Sequence, residues 1–320
     1  MEIKNLSVLV TGGAGFIGSH IVEYLLNNGV KFVRIMDNLA TGSKNNINEF
    51  LEKFTNVEFF WGDIRDLESC RRACVGIDVI CHQAALGSVP RSINNPLDSH
   101  NTNVNGFINI LLAAKENNIR RIVYASSSSV YGDNNKSVKI ENEEGMQLSP
   151  YAVTKYIDEL YGNIFMKTYG MECIGLRYFN IFGPRQNPDG VYAAVIPKFI
   201  KMVANNQRPT INGDGTYARD FTYVDNAVLA NILALTTNNN NCFGQVFNVG
   251  TNNNVSINEL FNLIIEIMDK KCDPIYGSVR TGDVPYSNAS IEKISKHLDY
   301  KPKVYFKEGL FRTINYFINI

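Results

Sequence analysis

Residues 7–18, Ser-Val-Leu-Val-Thr-Gly-Gly-Ala-Gly-Phe-Ile-Gly, decide how the rest of the chain is read. Five residues of strand character run into glycines at 12, 15 and 18, at the point where a strand gives way to a helix beginning near Phe16. Gly12 permits the tight turn, Gly15 lets a backbone approach a pyrophosphate, and Gly18 allows helix and strand to pack closely. The helix N-terminus at Phe16 and Ile17 then offers free N–H groups and partial positive charge to phosphates. About twenty residues further on, Asp37 closes the second strand pattern, where an acidic side chain accepts from a ribose hydroxyl. A carboxylate there repels a 2′-phosphate, and Asn38-Leu-Ala-Thr-Gly42 brings no Arg. NAD is therefore expected over NADP, with Asn38 and Gly42 beside it.

Outward from this unit, short apolar runs alternate with amphipathic helical patterns, the signature of βαβ units. Strands are expected near Ser7 to Thr11, Phe32 to Met36, Val57 to Trp61, Val79 to His82, Arg121 to Ala125 and Glu172 to Leu176. Right-handed crossovers put helices on both faces, so the fold class is α/β, a doubly wound parallel Rossmann sheet. Ser149 and Pro150 mark the start of a helix that carries Tyr151 and Lys155. Beyond about Asn180 the pattern is broken by Gly-Pro, Asn-Pro-Asp-Gly and Asn-Gly-Asp-Gly turns, followed by helices near Ser256 to Met268 and Phe306 to Phe317. This predicts a smaller C-terminal substrate-binding region: residues 1–179 with about 224–252 form the dinucleotide-binding domain, and 180–223 with 253–320 the other. The Asn tracts 238–241 and 252–254 read as surface loops.

Composition narrows the function. Thirty-one basic residues balance 31 acidic ones, so no nucleic-acid partner is expected. The apolar runs fall short of the roughly 18 to 20 residues needed to cross a bilayer. No membrane association is expected, and the N-terminal strand, with no apolar leader before it, points to a cytoplasmic protein. The six cysteines make no disulfide framework. Cys70 and Cys74 share a helix face without a second ligand pair, so no metal is expected.

Tyr151 and Lys155 stand four apart on one helix and project toward a common point. An ammonium beside a phenol stabilises phenolate, so the phenol can take a proton from a substrate hydroxyl and return it. The same Lys can bind nicotinamide-ribose hydroxyls. Upstream, Ser126-Ser-Ser-Ser-Val-Tyr-Gly132 ends a strand at the sheet's carboxyl edge and supplies hydroxyls to polarise a reacting oxygen. Asp63-Ile64, after the third strand, can accept from an adenine amino group.

With these segments assembled, the chain resembles the extended short-chain dehydrogenases/reductases of the sugar-nucleotide epimerase and dehydratase group. Within it, the chain is most similar to bacterial UDP-N-acetylglucosamine 4-epimerases. The matching segments include GDIRD at 62, HQAALGSVPRS at 82, SPYAVTK at 149, LRYFNIFGPRQ at 176, YAAVIPK at 192, INGDGTYARDF at 211 and RTGDVPYS at 280. The resemblance makes Ser127, Tyr151 and Lys155 catalytic and sets Gln83, Ala84, Ala85, Asn103 and Tyr178 around NAD. It implies that Asn180, Val195, Thr210, Asn212, Arg219 and Arg280 hold the UDP portion. Gly87, Ser88, Ser128, Gln186, Ala194, Asp283 and Ser287 are expected around the sugar. Two arginines suit a diphosphate, which takes forked, charge-assisted hydrogen bonds.

Dehydratases of this group place an Asp-Glu pair directly after the catalytic Thr; here Ser128 and Ser129 stand there, and neither is a strong general acid. Elimination is disfavoured. The expected chemistry is removal of hydride and proton at C4, turnover of the 4-keto ring and return from the other face. A bulky Tyr at the position matching Ser287 excludes N-acetylated sugars in the family, whereas Ser admits them. The expected reaction is interconversion of UDP-N-acetylglucosamine and UDP-N-acetylgalactosamine, and UDP-glucose is a further substrate candidate. Alternatives are a UDP-N-acetylglucosaminuronate 4-epimerase and a non-catalytic NAD-binding sensor; intact Ser127, Tyr151 and Lys155 argue against the sensor. A homodimer formed through a four-helix bundle is implied by the resemblance only.

Overall fold

A computed structural model describes residues 1–189, 193–279 and 286–318. Seven strands form the main sheet: β1 (Ser7–Thr11), β2 (Phe32–Asp37), β3 (Val57–Trp61), β4 (Val79–His82), β5 (Arg121–Ser127), β6 (Glu172–Tyr178) and β7 (Gln245–Val249). Every pairing is parallel, in the order β3-β2-β1-β4-β5-β6-β7. The central strands β1 and β4 are buried along their whole length, as expected for strands covered on both faces. Strand order reverses between β1 and β4, so the crevice beyond their carboxyl ends is where an open α/β sheet binds ligands.

Helices cover both faces. On one, α1 (Phe16–Asn27) and α6 (Val224–Thr236) pack Ile21, Val22, Leu25, Val228 and Leu235 against Val8, Val10 and Val123 of the sheet. On the other, α2 (Leu67–Cys74) and α3 (Gly106–Glu116) pack Cys70, Cys74, Phe107 and Leu111 against Leu9, Ile80 and Ile122. Cys70 and Cys74 are core thiols, fully buried. The long α4 (Pro150–Tyr169) starts as expected: the Ser149 hydroxyl accepts from the Ala152 N–H at 3.2 Å with Pro150 in the first turn, and left-handed Gly170 ends it.

A second core joins α5 (Val195–Ala204), α7 (Ile257–Ile267) and α8 (Phe306–Ile318) through Phe199, Phe261, Ile264, Phe306 and Leu310. A four-stranded sheet lies beside it, with residues 255–256, 218–219, 286–289 and 138–139 in that order.

The seventh strand goes beyond the sequence reading. Gln245 and Asn248 interrupt its apolar pattern, and their partners are distant in sequence. Asn248 accepts from the Tyr131 hydroxyl at 2.7 Å, and its own N–H donates to Glu141 at 2.8 Å.

Candidate active site

The glycine turn between β1 and α1 is closed by backbone contact. Gly12 has φ +66°, and a Cβ there would lie 2.7 Å from the Ala84 nitrogen; a Cβ on Gly18 would lie 2.1 Å from the Gly12 carbonyl oxygen. The Gly12 N–H donates to Met36 O at 2.8 Å and the Gln83 N–H to Thr11 O at 3.0 Å, which ties the turn to β2 and to the end of β4. The first-turn N–H groups of α1 have no acceptor within the helix and face outward.

Asp37 braces this turn. One carboxylate oxygen accepts from Ala14 N–H at 3.0 Å and the other from Leu39 N–H at 2.8 Å. Burial pushes its carboxyl up, and these backbone donors hold it back. The loop after it folds over the turn, with Ser43 N–H and the Asn46 amide both donating to Ala14 O. Asp63 is half-shielded: burial would raise its carboxyl, but hydrogen bonds from Arg65 and Asn38 outweigh that and hold it near 2.

A cavity of about 1060 Å³ opens at the carboxyl edge of the sheet. Of the expected cofactor residues, Gly12, Gly15, Phe16, Ile17 and Gly18 form its floor, with Asp37, Asn38, Gly42 and Ile64 on one side. Gln83, Ala84, Ala85, Tyr178, Tyr151 and Lys155 line the other side. Asp63 and Asn103 stand behind the wall. Asn103 is buried, accepting from Leu86 N–H at 2.8 Å and donating to the Thr154 hydroxyl at 3.0 Å, so it pins the loop after β4 to α4. Gln83 and Tyr178 are cross-braced: the Tyr178 hydroxyl donates to Gln83 at 2.9 Å and accepts from Asn231 at 2.7 Å.

Lys155 is 2% exposed and donates to Ala125 O at 3.0 Å and to Asp158 at 3.1 Å, which leaves one N–H for the cavity. The Ser127 oxygen accepts from the Ser129 N–H at 3.1 Å and the Ser129 hydroxyl at 2.9 Å, so the Ser127 O–H is free to donate outward. Ser126, on the cavity wall where Ser127 is not, donates its hydroxyl to Glu159 at 2.5 Å, while Glu159 holds Arg177 through two bonds of 2.8 and 2.7 Å. These buried pairs fix the end of β5 against α4.

The expected substrate residues are more dispersed. Gly87 and Gln186 line the cavity. Ser127 and Ser128 sit at the end of β5, Ser88 caps the short helix after β4, and Ala194 and Val195 begin α5. Thr210 and Asn212 are exposed on a short strand paired with residues 275–277. Ser287 is 7% exposed and pairs in register with Arg219, while the Asn180 amide donates to Asp220 O. Asp220 points into the core, where Thr251, Asn252 and Ala289 donate to it. Arg280 and Asp283 lie outside the described residues.

Arg185 is a cavity residue that the sequence reading passed over. It donates to Glu23 at 2.7 Å with Nη2, while Nη1 is buried without a partner among the described residues. Its neighbour on the wall, Gln186, has a buried Oε1 in the same condition. A cation directly after Gly183-Pro184, facing the helix that opens the glycine turn, was the available signal. Buried orphan groups cost about 1–3 kcal/mol each unless a ligand meets them. The glycine cradle, the braced Asp37 and these two atoms fit a dinucleotide. Among the described residues no three His, Cys, Asp or Glu side chains group to hold a metal, and no helix is long and apolar enough to cross a membrane.

Comparison with known proteins agrees. The model of the NAD dependent epimerase/dehydratase family matches residues 8–250. The UDP-N-acetylglucosamine 4-epimerase of Methanobrevibacter ruminantium, solved with UDP-N-acetylmuramic acid, is 38% identical with a TM-score of 0.92, covering 98% of this chain and 99% of that one. The UDP-glucose 4-epimerase of Thermotoga maritima, solved with UDP-glucose, is 36% identical with a TM-score of 0.91 over the same shares. The UDP-glucose 4-epimerase of Thermus thermophilus, solved with NAD, is 34% identical with a TM-score of 0.87, again over 98% and 99%. Family, fold and site geometry converge: the chain belongs to the NAD-dependent epimerase/dehydratase family and is a UDP-sugar 4-epimerase that uses NAD.

Proposed function

We propose that the enzyme interconverts UDP-N-acetylglucosamine and UDP-N-acetylgalactosamine, accepting UDP-glucose as a lesser substrate, in the cytoplasm. The observation that carries the choice of sugar is room. Ser287 is small and buried beside Arg219, at the position that the family resemblance sets against the sugar C2, and a Cβ on Gly87 would meet nothing within 4 Å.

NAD, when bound, supplies a reversible acceptor for the C4 hydride. The protein's own part is acid–base chemistry and orientation. The Tyr151 oxygen takes the C4 hydroxyl proton and later returns it; Lys155 holds a positive charge beside that oxygen. The free O–H of Ser127 donates to the C4 oxygen as it becomes a carbonyl. Arg219, with Arg280 in the segment outside the described residues, anchors the diphosphate while the sugar turns over. Neither Ser128 nor Ser129 can protonate a C6 leaving group, so the 4-keto sugar is reduced and no water is lost. We assign residues 1–179 with 224–252 chiefly to the cofactor and residues 180–223 with 253–320 chiefly to the UDP-sugar.

Val153, Leu160 and Ile164 form an exposed apolar stripe on α4, flanked by exposed Ile93 and Leu97. We assign it to a second copy of the chain. Light scattering should return a dimer, and a monomeric wild type would remove that assignment.

The substrate test is a rate comparison. Purified enzyme is given UDP-N-acetylglucosamine, UDP-glucose and the C6-oxidised UDP-N-acetylglucosaminuronate, with products followed by proton NMR. The acetylated hexose should give the highest kcat/KM. A preference for the uronate or for UDP-glucose by tenfold would overturn the choice of sugar without touching the family assignment.

A further inference from the structure

We propose that Asp158 is a positioning residue of the catalytic helix: its carboxylate, buried beneath Lys155, holds the ammonium against Ala125 O and moderates the charge that Lys155 presents to Tyr151. This rests on the reading of Tyr151 as the base. Lys155 and Asp158 are three apart on α4, their side chains are each 2% exposed, and they meet at 3.1 Å. Two of the three ammonium protons are thereby used, and the third is directed at the cavity that Tyr151 also lines.

The pair is poised rather than locked. A buried structural carboxylate normally has both oxygens satisfied. Here Oδ1 of Asp158 is buried and has no partner among the described residues. Burial pushes the carboxyl up, while the charge and the hydrogen bond of Lys155 at 3.1 Å pull it down. The neighbouring charges are otherwise committed. Glu159 on the same helix is bound by Arg177 of β6 and by Ser126. His82 of β4 is held near 3 by burial and by Lys155, and is uncharged at neutral pH. Tyr124 of β5 is fully buried and driven up by burial, so it stays a neutral phenol. Tyr131, in the turn at 128–131, is bonded to Asn248 and lies against Arg177. The segment 101–105 brings only Asn, Thr and Val. Lys115 of α3 sits over the Tyr169 ring at the far end of α4. The short helices at 89–100 bring Arg91, Asp98 and His100. Lys155 and, after it, Glu159 are the charged groups that act on Asp158, and Tyr124, coupled to it as well, stays neutral.

Tyr151 and Asp158 are seven residues apart, about 10 Å along a helix. At that range, removing one negative charge shifts a titration by roughly half to one pH unit, for effective dielectric constants of about 20 to 40. Asp158→Asn keeps the shape and removes the charge. The acid limb of its kcat–pH profile should move down by that amount with KM for the UDP-sugar unchanged, since Asp158 touches no substrate. Ultraviolet difference titration of the phenolate against Tyr151→Phe gives the same shift without turnover. Should Asp158→Asn fail to fold, Asp158→Glu keeps the charge: its acid limb should stay at the wild-type position while kcat falls severalfold, and a displaced limb would overturn the proposal. Superimposable wild-type and Asp158→Asn profiles overturn it too. Full activity in Tyr151→Phe would instead remove the reading of Tyr151 as the base.

Discussion

Gly18→Ala places a single methyl group where the cofactor turn has least space. Its Cβ would lie 2.1 Å from Gly12 O and 2.8 Å from both Gly12 C and Gly13 Cα, and all three atoms are backbone. Ordinary van der Waals contact begins near 3.4 Å, so helix and turn must separate by about an ångström. Little can give way. Gly12 is anchored to Met36 O, its own Cα faces the Ala84 backbone, and the adjoining α1 residues Ser19, Ile21 and Val22 are fully buried. Overpacking costs about 1–3 kcal/mol, and a clash with backbone belongs at the upper end. A loss of about 3 kcal/mol lowers the melting temperature by roughly 4 to 5 °C in a chain of this size. The same shift withdraws the first-turn N–H groups from the phosphates. Losing even one charge-assisted bond, worth about 1.5–3 kcal/mol, weakens NAD binding roughly tenfold or more. Differential scanning calorimetry, with chromatography of the nucleotide released on denaturation, measures both effects. Gly87→Ala is the control, because its Cβ meets nothing within 4 Å and its melting temperature should match wild type. A Gly18→Ala protein with wild-type melting and full NAD content would refute the account of the turn.

Two further substitutions test the framework beneath the site. Glu159→Ala strips a buried arginine of its two-bond partner and leaves Arg177 the 2.5 Å contact to Glu144 and the Tyr131 ring beside it. Such a loss costs about 3–5 kcal/mol, here toward the lower end, and urea unfolding that shows less than about 1 kcal/mol would contradict it. His82 is held near 3 in the folded chain, below its ordinary value of about 6.5, first by burial and then by Lys155. The stability it contributes is therefore present above about 6.5 and lost as pH falls toward 3, at about 1.4 kcal/mol per pH unit. Between pH 7 and pH 5, His82→Gln should lose about 2 kcal/mol less than wild type, and equal losses would show that His82 is already charged when folded.

Much of this was legible locally. Parallel strands covered on both faces read as unbroken apolar runs, which is why β1 and β4 stand out, and the glycine spacing with Asp37 locates the dinucleotide cleft at the switch point between them. The helix carrying Tyr151 and Lys155 was marked by its cap. What local reading missed depends on partners far along the chain. Asn248 of β7 is satisfied by Tyr131 and Glu141, more than a hundred positions away. The bonds of the Asn103 side chain to Leu86 and Thr154, 17 and 51 positions away, are likewise beyond a local reading. Arg185 joins the cavity only because the segment after β6 folds back onto α1, where it meets Glu23.

The central claim is that carbon C4 is oxidised and reduced again within one closed site. It is tested most directly by giving the enzyme a UDP-hexose bearing deuterium at C4, in ordinary water and without added NAD. Mass spectrometry of the C4 epimer should find the deuterium retained at C4, because it leaves and returns without meeting solvent. Epimer formed with the label lost to water would contradict the account, as would a dehydrated 4-keto sugar in place of any epimer.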